Sequence, residues 1–392
     1  MGKCRNYSGE RCRHNVVETL GCNNLTHPTE SLSKASTILV TGGAGFIGSA
    51  VVRMIIRDTP HRAVNLDKLT YAGSLENVAE VADSDRYAFE RADIADADAV
   101  ARILRTHRPD AMLHLAAESH VDRSIDGPRP FIETNIVGTY TLLEEVRRYL
   151  DRLSAEAHRS FRFVQVSTDE VYGSLGTEGR FMASSPYDPS SPYSASKASA
   201  DHLARAWHRT FGLPVIVTNC SNNFGPFQYP EKLIPVVVLN LLADEHVPIY
   251  GRGNNVRDWL FVDDHARALL AVLEAGKPGK TYLIGASNER SNLEVVRSIC
   301  SVMDELAPRQ GGRAHSEQIK FVADRPGHDF RYAIDASPIR TDLKWSTAST
   351  WDEALRGTVQ WYVDNRQWCA RRLGSSATGA GGAARIGLGG SS

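Results

Sequence analysis

Long apolar runs are missing from this sequence of 392 residues. No stretch approaches the roughly 18 consecutive apolar residues that a membrane helix needs, and no apolar core near residue 1 marks a signal peptide. A basic field is missing as well: the formal net charge is −1, which argues against a nucleic-acid partner. These absences predict a soluble, cytoplasmic protein with no membrane or nucleic-acid partner.

Cysteine is scarce, with six residues in the chain. None of them forms a C-x-x-C pair, and Cys4, Cys12 and Cys22 have no recognised zinc spacing. We therefore predict reduced thiols and no metal site. The hydrophobic content of 42% is ordinary for a globular protein, and the length allows one large α/β domain with a smaller one.

The two ends of the chain differ in composition from its middle. Residues 1–35 are polar and basic without periodicity, and residues 374–392 are Gly, Ser and Ala-rich, so we predict a disordered N-terminal extension and a flexible tail. Between them, strand patterns alternate with helix patterns, including a long amphipathic helix over about 130–150. This alternation predicts an α/β fold with a doubly wound parallel sheet: a Rossmann domain over 36–220 and a smaller C-terminal substrate-binding domain over 221–373, parts of which can return to the sheet.

A glycine-rich turn at residues 41–48, Thr-Gly-Gly-Ala-Gly-Phe-Ile-Gly, follows an apolar strand pattern and precedes a helix pattern. Its glycine spacing contains the dinucleotide fingerprint. Such a turn lets the backbone approach a pyrophosphate at the start of the helix. A tight turn without a ligand is the alternative interpretation, but the strand–turn–helix context favours the cofactor.

Asp67 decides which dinucleotide we expect. It ends a second strand pattern, nineteen residues after Gly48, where a carboxylate binds the adenosine ribose hydroxyls and repels a 2′-phosphate. This favours NAD over NADP, with the neighbouring Lys68 as the contrary feature. Asp93 is interpreted in two ways, as an adenine contact or as the cap of a helix beginning near Ala97. The predicted cofactor contacts are Gly42, Gly45, Phe46, Ile47, Gly48, Asp67, Asp93, Ile94, Ala116, Tyr193 and Lys197.

Tyr193 and Lys197 are four residues apart, which places them on one face of a helix. An ammonium beside a phenol lowers the phenol pKa, so that the phenolate can take a proton from a substrate hydroxyl while hydride leaves the same carbon for NAD. A surface pair is the alternative. Thr168 ends the predicted fifth strand, where its hydroxyl can share the substrate oxygen with Tyr193.

Two carboxylates, Asp169 and Glu170, follow that strand directly. A solvated turn is the ordinary interpretation of such a pair. At the catalytic edge of a sheet, however, two adjacent carboxyls in a partly dry cleft cannot easily both be charged, so one keeps its proton. The pair then offers the acid and the base that an elimination needs.

The glycine turn, the Tyr193–Lys197 pair and the acid pair together resemble the extended short-chain dehydrogenase/reductases that act on nucleotide sugars. More narrowly, they resemble the dTDP-glucose 4,6-dehydratase family. The glycine turn and the Tyr193–Lys197 pair are shared with the wider group, whereas the acid pair after the threonine is not found in its epimerases. The resemblance extends over about 36–371. The other runs that carry it are residues 66–73, 118–124, 167–173, 219–226, 230–235, 257–259 and 325–329.

The resemblance implies a reaction in three steps and a catalytic set of Thr168, Asp169, Glu170, Tyr193 and Lys197. Tyr193 would be the base for oxidation at C4, Glu170 would remove the C5 proton, and Asp169 would protonate the departing C6 oxygen. Hydride then returns to C6, giving dTDP-4-keto-6-deoxyglucose and regenerating NAD. The implied substrate contacts are Ser124, Asn222, Lys232, Pro248, Tyr250, Arg257, His328 and Tyr332.

Several alternatives stay open at this point. Lys232 can equally be a surface cation, and Arg257 can form an internal salt bridge beside a core tryptophan. The rival functions are a UDP- or GDP-sugar 4,6-dehydratase, a nucleotide-sugar C4 epimerase and, in a different class, a non-catalytic NAD-binding sensor. The resemblance also suggests a homodimer through the helices that contain Pro130 and Tyr193.

Overall fold

A parallel sheet lies at the centre of the part of the chain that the computed structural model describes, residues 35–324 and 329–374. The predictions for the N-terminal extension, for the tail after residue 374 and for His328 lie outside those residues. The strands are β1 (Thr37–Thr41), β2 (Arg62–Asp67), β3 (Tyr87–Arg91), β4 (Ala111–His114), β5 (Arg162–Thr168), β6 (Val215–Cys220), β7 (Asn222–Phe224), β8 (Val247–Tyr250), β9 (Val256–Phe261), β10 (Thr281–Ile284), β11 (Glu289–Ser291) and β12 (Ile319–Val322). The helices are α1 (Phe46–Asp58), α2 (Ala97–His107), α3 (Val121–Asp126), α4 (Arg129–Phe131), α5 (Thr139–Leu150), α6 (Ala155–Ser160), α7 (Pro192–Phe211), α8 (Leu233–Leu242), α9 (Val262–Ala275), α10 (Asn292–Leu306), α11 (Ser337–Leu343), α12 (Trp351–Asp364) and α13 (Arg366–Leu373).

The central sheet has the strand order β10-β6-β5-β4-β1-β2-β3, and all neighbouring strands are parallel. Its inner strands are inaccessible, as Leu39 on β1 and Leu113 on β4 illustrate, because helices cover both faces. Helices α1 and α9 pack on one face, and α2 and α5 pack on the other. The predicted doubly wound α/β fold is confirmed.

The predicted helix over 130–150 is interrupted. A π-helical segment, Ile132–Gly138, separates α4 from α5. Gly138 ends this segment against Ile94, where a Cβ at position 138 would lie 2.6 Å from the Ile94 Cδ1 atom. A change from 3.6 residues per turn to a wider turn leaves the apolar pattern almost unchanged, so the sequence does not reveal it. Such segments are frequent near functional sites, and Thr134 of this segment lines the cleft described below.

Part of the chain after Cys220 returns to the sheet. Strand β10 pairs with β6, with Thr281 opposite Val217, and α9 packs against α1 through one continuous apolar cluster that includes Leu269 and Val51. The sheet layer is therefore completed by residues far along the chain.

A separate apolar cluster lies among α8, α10 and α12, with Val238, Ile299 and Tyr362 fully inaccessible at its centre. Two small sheets accompany it, one with the order β11-β9-β7 and the other pairing β12 with β8. The division of the chain at residue 220 stays a prediction. In the described ranges no helix combines the length and the apolar character that crossing a membrane requires.

Candidate active site

A cleft opens at the carboxyl ends of the parallel strands, where loops after β1, β2, β4, β5 and β6 converge. This is the edge at which doubly wound sheets bind ligands. Most of the predicted residues line this cleft. They are Gly42, Gly45, Phe46, Ile47, Gly48, Asp67, Ile94, Ala116, Thr168, Asp169, Glu170, Tyr193, Lys197, Asn222 and Lys232. Six other predicted site residues are described by the structure but do not line the cleft. They are Asp93, Ser124, Pro248, Tyr250, Arg257 and Tyr332.

Three glycines of the turn, Gly42, Gly43 and Gly48, have no space for a side chain. Gly42 has a φ of +71°, and a Cβ there would lie 2.7 Å from the amide nitrogen of Ala116. Gly45 caps α1 without any side-chain hydrogen bond to the helix, and the first residues of α1, Phe46 to Gly48, line the cleft. A bare backbone cradle at a helix N-terminus fits a dinucleotide pyrophosphate.

Gly48 is the glycine whose replacement we expect to be most damaging. In Gly48→Ala the new Cβ would lie 2.1 Å from the carbonyl oxygen of Gly42, so the turn has to move. We expect a loss of about 1–3 kcal/mol in the free energy of unfolding together with weaker NAD binding, measured by urea unfolding and by titration. The matched control is Gly357→Ala, an exposed helical glycine with nothing within 4 Å of the added Cβ, which should gain about 0.5–1 kcal/mol. Equal behaviour of the two variants would contradict the proposed tight fit.

Asp67 is held at the end of β2 by backbone donors. Its carboxylate accepts hydrogen bonds from the amides of Ala44 (3.0 Å) and Leu69 (2.8 Å), and burial raises its pKa. The ammonium of Lys68 is directed toward the Asp93 carboxylate (3.3 Å) and the Thr134 hydroxyl (3.1 Å). A buried carboxylate at this position disfavours a phosphorylated ribose, in agreement with NAD.

Asp93 is not the cap of α2. The Asp96 side chain caps that helix by accepting from the amide of Ala99 at 3.0 Å. Asp93 instead accepts from the amide of Ala95 at 2.9 Å and pairs with Lys68. The capping alternative was therefore wrong by three residues, since Asp93 and Asp96 both precede the helix and the sequence does not distinguish them. The adenine contact stays a prediction.

His114 is a histidine of the core whose two ring nitrogens both have hydrogen-bond partners. Burial lowers its pKa to about 3, so the ring is neutral. Because the Thr139 hydroxyl donates to the Asn135 carbonyl (2.6 Å), the ring Nε2 donates to Thr139 (3.0 Å) and Nδ1 accepts from Thr41 (2.7 Å). The Thr41 Oγ1 atom in turn accepts from the amide of Ala116 at 3.2 Å. This chain of bonds fixes the loop after β4 against the glycine turn.

The two carboxylates begin a short 3-10 turn, Asp169–Tyr172, and the Thr168 hydroxyl caps that turn by accepting from the amide of Glu170 at 3.3 Å. Asp169 is 1% exposed, and its Oδ2 atom has no hydrogen-bond partner among the described residues. Burial, and then the charge of Glu170, raise the pKa of Asp169 well above its ordinary value. A solvated turn is thus excluded for Asp169, and the direction agrees with one carboxyl of the pair keeping its proton.

Tyr193 and Lys197 share the buried face of α7, as predicted. The Lys197 Nζ donates to the carbonyl of Val166 at 2.8 Å. The pKa of Tyr193 differs from the sequence-based expectation, because burial and the nearby Glu170 carboxylate raise it well above its ordinary value, while a hydrogen bond from Thr168 opposes this increase. The expected lowering by Lys197 is therefore wrong for this arrangement. Burial and the adjacent carboxylate both favour the protonated form of this phenol.

Asp201 does not line the cleft, but its charge acts on Lys197, and the sequence analysis did not predict this. It is inaccessible and accepts hydrogen bonds from the Tyr187 hydroxyl (2.9 Å) and the Asn219 amide (3.1 Å). Its charge raises the pKa of Lys197 against the lowering caused by burial. The available signal was spacing, since Tyr193, Lys197 and Asp201 follow one another at intervals of four on one helix face.

Arg257 and Tyr332 form a cluster beside the acid pair. The Arg257 guanidinium donates to the carbonyls of Asp329 (2.9 Å) and Phe330 (3.3 Å) and lies 4.3 Å from the centroid of the Tyr332 ring. The Tyr332 hydroxyl hydrogen-bonds to Asp329, and burial, followed by the charge of Glu170, raises the pKa of Tyr332. The cluster therefore lies close to Glu170 although it does not line the cleft.

The other predicted substrate contacts have different surroundings. Ser124 is inaccessible, and its hydroxyl donates to the Val121 carbonyl at 2.6 Å. Pro248 and Tyr250 belong to β8, which pairs with β12. The Lys232 ammonium lines the cleft and donates to the Ser119 carbonyl at 3.2 Å, which is not the position of a free surface cation.

Comparisons with known proteins agree with this geometry. The family model described as GDP-mannose 4,6 dehydratase matches residues 39–358. A dTDP-glucose 4,6-dehydratase of Shigella flexneri is 59% identical over 340 residues, which are 84% of this chain and 94% of that protein.

Solved structures give the same result. The dTDP-glucose 4,6-dehydratase of Streptomyces venezuelae, solved with NAD and dTDP bound, has a TM-score of 0.78 and 44% identity, covering 86% of this chain and 99% of that one. The UDP-glucose 4-epimerase of Thermotoga maritima has a TM-score of 0.73 but 28% identity, covering 84% and 99% of the two chains. The fold is thus shared with epimerases, while the sequence is considerably closer to the dehydratases.

Proposed function

We infer the function from the family to which the chain belongs, the GDP-mannose 4,6 dehydratase family. We propose that the protein is an NAD-dependent enzyme that converts dTDP-glucose to dTDP-4-keto-6-deoxyglucose. The observation that carries this function is the acid pair, Asp169 and Glu170, in one cleft with Tyr193 and the glycine turn. An epimerase needs the tyrosine and the cofactor but no second acid–base pair, because it expels no water.

The residues of the glycine turn, with Asp67, Ile94 and Ala116, would hold NAD, the pyrophosphate on the backbone amides at the start of α1 and the ribose on the Asp67 carboxylate. When bound, NAD supplies the acceptor for the C4 hydride and the donor of the hydride that reaches C6. All other steps fall to side chains of this protein. The positive charge of the oxidised nicotinamide ring would favour ionisation of the Tyr193 phenol nearby.

Tyr193 is the proposed base for the C4 hydroxyl. It is buried and lines the cleft, with the Thr168 hydroxyl within hydrogen-bonding reach, so the two side chains can share the substrate oxygen. Lys197 lies one helical turn after Tyr193 on α7. We propose that it positions this step, because its ammonium is held by the Val166 carbonyl. The C4 proton goes to Tyr193, and a ketone forms at C4.

Glu170 and Asp169 divide the elimination between them. The C4 ketone acidifies the C5 proton, which Glu170 removes, while Asp169 gives its proton to the C6 oxygen so that water leaves. The raised pKa of Asp169 supports the acid role, because burial favours the protonated form of the carboxyl. Glu170 is half-buried beside it and suits the base. Protonation at C5 after hydride addition to C6 completes the reaction.

The raised pKa of Asp169 also predicts a trade between stability and activity. A carboxyl whose pKa is raised by folding stabilises the protein below its unfolded pKa, and that stabilisation is lost as pH rises through the folded pKa. Asp169→Asn should therefore be inactive in dehydration and yet more stable than the wild type at pH 8 by about 1 kcal/mol, with the difference disappearing towards pH 4. Urea unfolding without substrate across this pH range measures it. Parallel stability curves for the two proteins would contradict a buried, protonated Asp169.

The segment 221–373 is proposed as the nucleotide-sugar-binding domain. Asn222 and Lys232 line the cleft from this segment, and a diphosphate requires cationic donors such as Lys232 and Arg257. Ser124, Pro248, Tyr250, His328 and Tyr332 complete the proposed substrate contacts.

A homodimer is proposed through α3, the π-helical segment, α5 and α7. Exposed apolar side chains are concentrated on these elements, namely Ile125 (58% exposed), Ile132 (45%), Val137 (45%), Tyr140 (47%) and Phe211 (48%). Such a concentration is typical of an interface. We further propose that the enzyme works in the cytoplasm, where the free thiols of Cys220, Cys300 and Cys369 stay reduced.

Incubation with a panel of nucleotide-glucose and nucleotide-mannose substrates, followed by mass detection, tests the function. We expect loss of one water from dTDP-glucose, and a much slower reaction or none with UDP- and GDP-sugars. A product of unchanged mass would identify an epimerase. Tight NAD binding with every nucleotide sugar left unchanged would instead favour a non-catalytic sensor.

A further inference from the structure

Helix α13, at the end of the described chain, is attached to the loop that follows the cofactor strand β2. The Arg372 Nη2 atom donates to two backbone carbonyls of that loop, Tyr71 (2.6 Å) and Gly73 (3.0 Å). Helix α13 lies beyond residues 39–358, the part of the chain that the family model matches. The attachment therefore joins a helix outside the matched region to a loop inside it.

The loop held by Arg372, residues 69–73, forms one wall of the cofactor cleft. Thr70, Ala72 and Gly73 line the cleft. A Cβ at position 73 would lie 3.0 Å from the Oδ1 atom of Asp67, which places the loop directly beside the carboxylate proposed to bind the ribose. A ligand on Asp67 would therefore have this loop at its side.

The loop also has a backbone conformation that needs external support. Leu69 has a φ of +58°, a left-handed conformation that residues with a side chain rarely adopt and that persists only where the surroundings enforce it. Its own local bonds are few. The Leu69 amide donates to Asp67 at 2.8 Å, and the Gly73 amide donates to Thr70 at 3.1 Å.

Aromatic contacts join the loop to the opposite wall of the cleft. The Tyr71 ring lies edge-on to the Tyr229 ring, with centroids 5.2 Å apart, and the Arg123 guanidinium is 3.8 Å from the Tyr71 centroid. The Tyr71 hydroxyl donates to Glu231 at 3.1 Å. The Tyr229 hydroxyl donates to the backbone carbonyl of Arg372 at 3.0 Å, so α13 contacts both walls at once.

We propose that Arg372 is a positioning residue that fastens the loop of residues 69–73 across the cofactor cleft and so slows the release of NAD. The inference rests on the proposed function, in which each turnover regenerates NAD and the cofactor has no need to leave. Holding it between turnovers keeps the enzyme active when free NAD is scarce.

The rate at which bound radiolabelled NAD exchanges with excess unlabelled NAD tests this. We expect exchange about tenfold faster in Arg372→Ala than in the wild type, because the variant loses both hydrogen bonds that the charged Nη2 atom donates to the loop. The NAD concentration for half-maximal dehydration should rise by a similar factor. A merely structural role would instead lower the rate equally at all NAD concentrations.

Arg371→Ala is the matched control, because Arg371 is the adjacent arginine of the same helix and pairs with Glu76 on the exposed surface. Exposed pairs contribute little, so NAD exchange should stay within about twofold of the wild type. Tyr229→Phe removes the hydroxyl bond to α13 but keeps the ring, and we expect severalfold faster exchange without loss of folding.

Two results would overturn the proposal. One is wild-type exchange rates in both Arg372→Ala and Tyr229→Phe. The other is equal acceleration in Arg371→Ala and Arg372→Ala, which would indicate general loosening of α13. Failure of the wild type to dehydrate dTDP-glucose would instead remove the proposed function, and the exchange measurement, which needs no turnover, distinguishes that case.

Discussion

Glu170→Gln is expected to stop water loss while leaving oxidation at C4 measurable. The glutamine keeps the shape of the side chain but cannot accept the C5 proton, and a positioned general base contributes about 10²–10⁴-fold to a rate. In deuterated water we expect no exchange at C5 of the sugar, together with a persistent absorbance of reduced nicotinamide after dTDP-glucose is added. The dehydration rate should fall by about 10³-fold.

The control for this variant is Glu178→Gln, an exposed acid outside the cleft, for which wild-type rates are expected. Full dehydration by Glu170→Gln would remove Glu170 from the mechanism. Loss of C4 oxidation as well as dehydration would show instead that Glu170 acts before the elimination.

Tyr193→Phe is expected to reduce the first step itself. Without the phenol hydroxyl, Tyr193 can no longer accept the proton of the C4 hydroxyl, so we expect the rate of oxidation at C4 to fall by about 10²–10⁴-fold. Stopped-flow absorbance of reduced nicotinamide measures this rate. Tyr149→Phe, on a tyrosine of α5 that does not line the cleft, is the control. Unchanged C4 oxidation in Tyr193→Phe would contradict its role as base.

The structure predicts in which direction the pH dependence of C4 oxidation changes when Glu170 loses its charge. The Glu170 carboxylate is among the causes that raise the pKa of Tyr193, so removing that charge lowers the phenol pKa. In Glu170→Gln, the pH at which C4 oxidation becomes half-maximal should therefore move to lower values than in the wild type. A shift in the opposite direction would show that the two side chains do not interact through charge.

The parts of the site that could be predicted from the sequence are those fixed by local geometry. Glycine spacing predicts the turn at Gly42 and Gly48, because no other residue fits where a Cβ would meet backbone. A spacing of four predicts the shared face of Tyr193 and Lys197. Strand ends predict the common edge, since all parallel strands end on the same side of the sheet.

The parts that could not be predicted depend on contacts distant in sequence. The pKa of Tyr193 follows from burial and from Glu170 on another element, which spacing alone does not reveal. The π-helical segment depends on the packing of Gly138 against Ile94, more than forty residues away in the sequence. Asp96 rather than Asp93 caps α2 because capping is decided by backbone conformation, and both residues satisfy the sequence rule.

The return of β10 to the edge of the sheet has a consequence for synthesis of the protein. A nascent chain cannot finish its central sheet until Ile284 has left the ribosome, and until then β6 presents an unpaired edge and α1 lacks its partner helix α9. Long-range parallel pairing of this kind forms slowly, and the intermediates that precede it are prone to aggregation. Expression of residues 36–220 alone should yield aggregates, and transplanting the N-terminal half into a relative should succeed only when the segment 262–284 is carried with it.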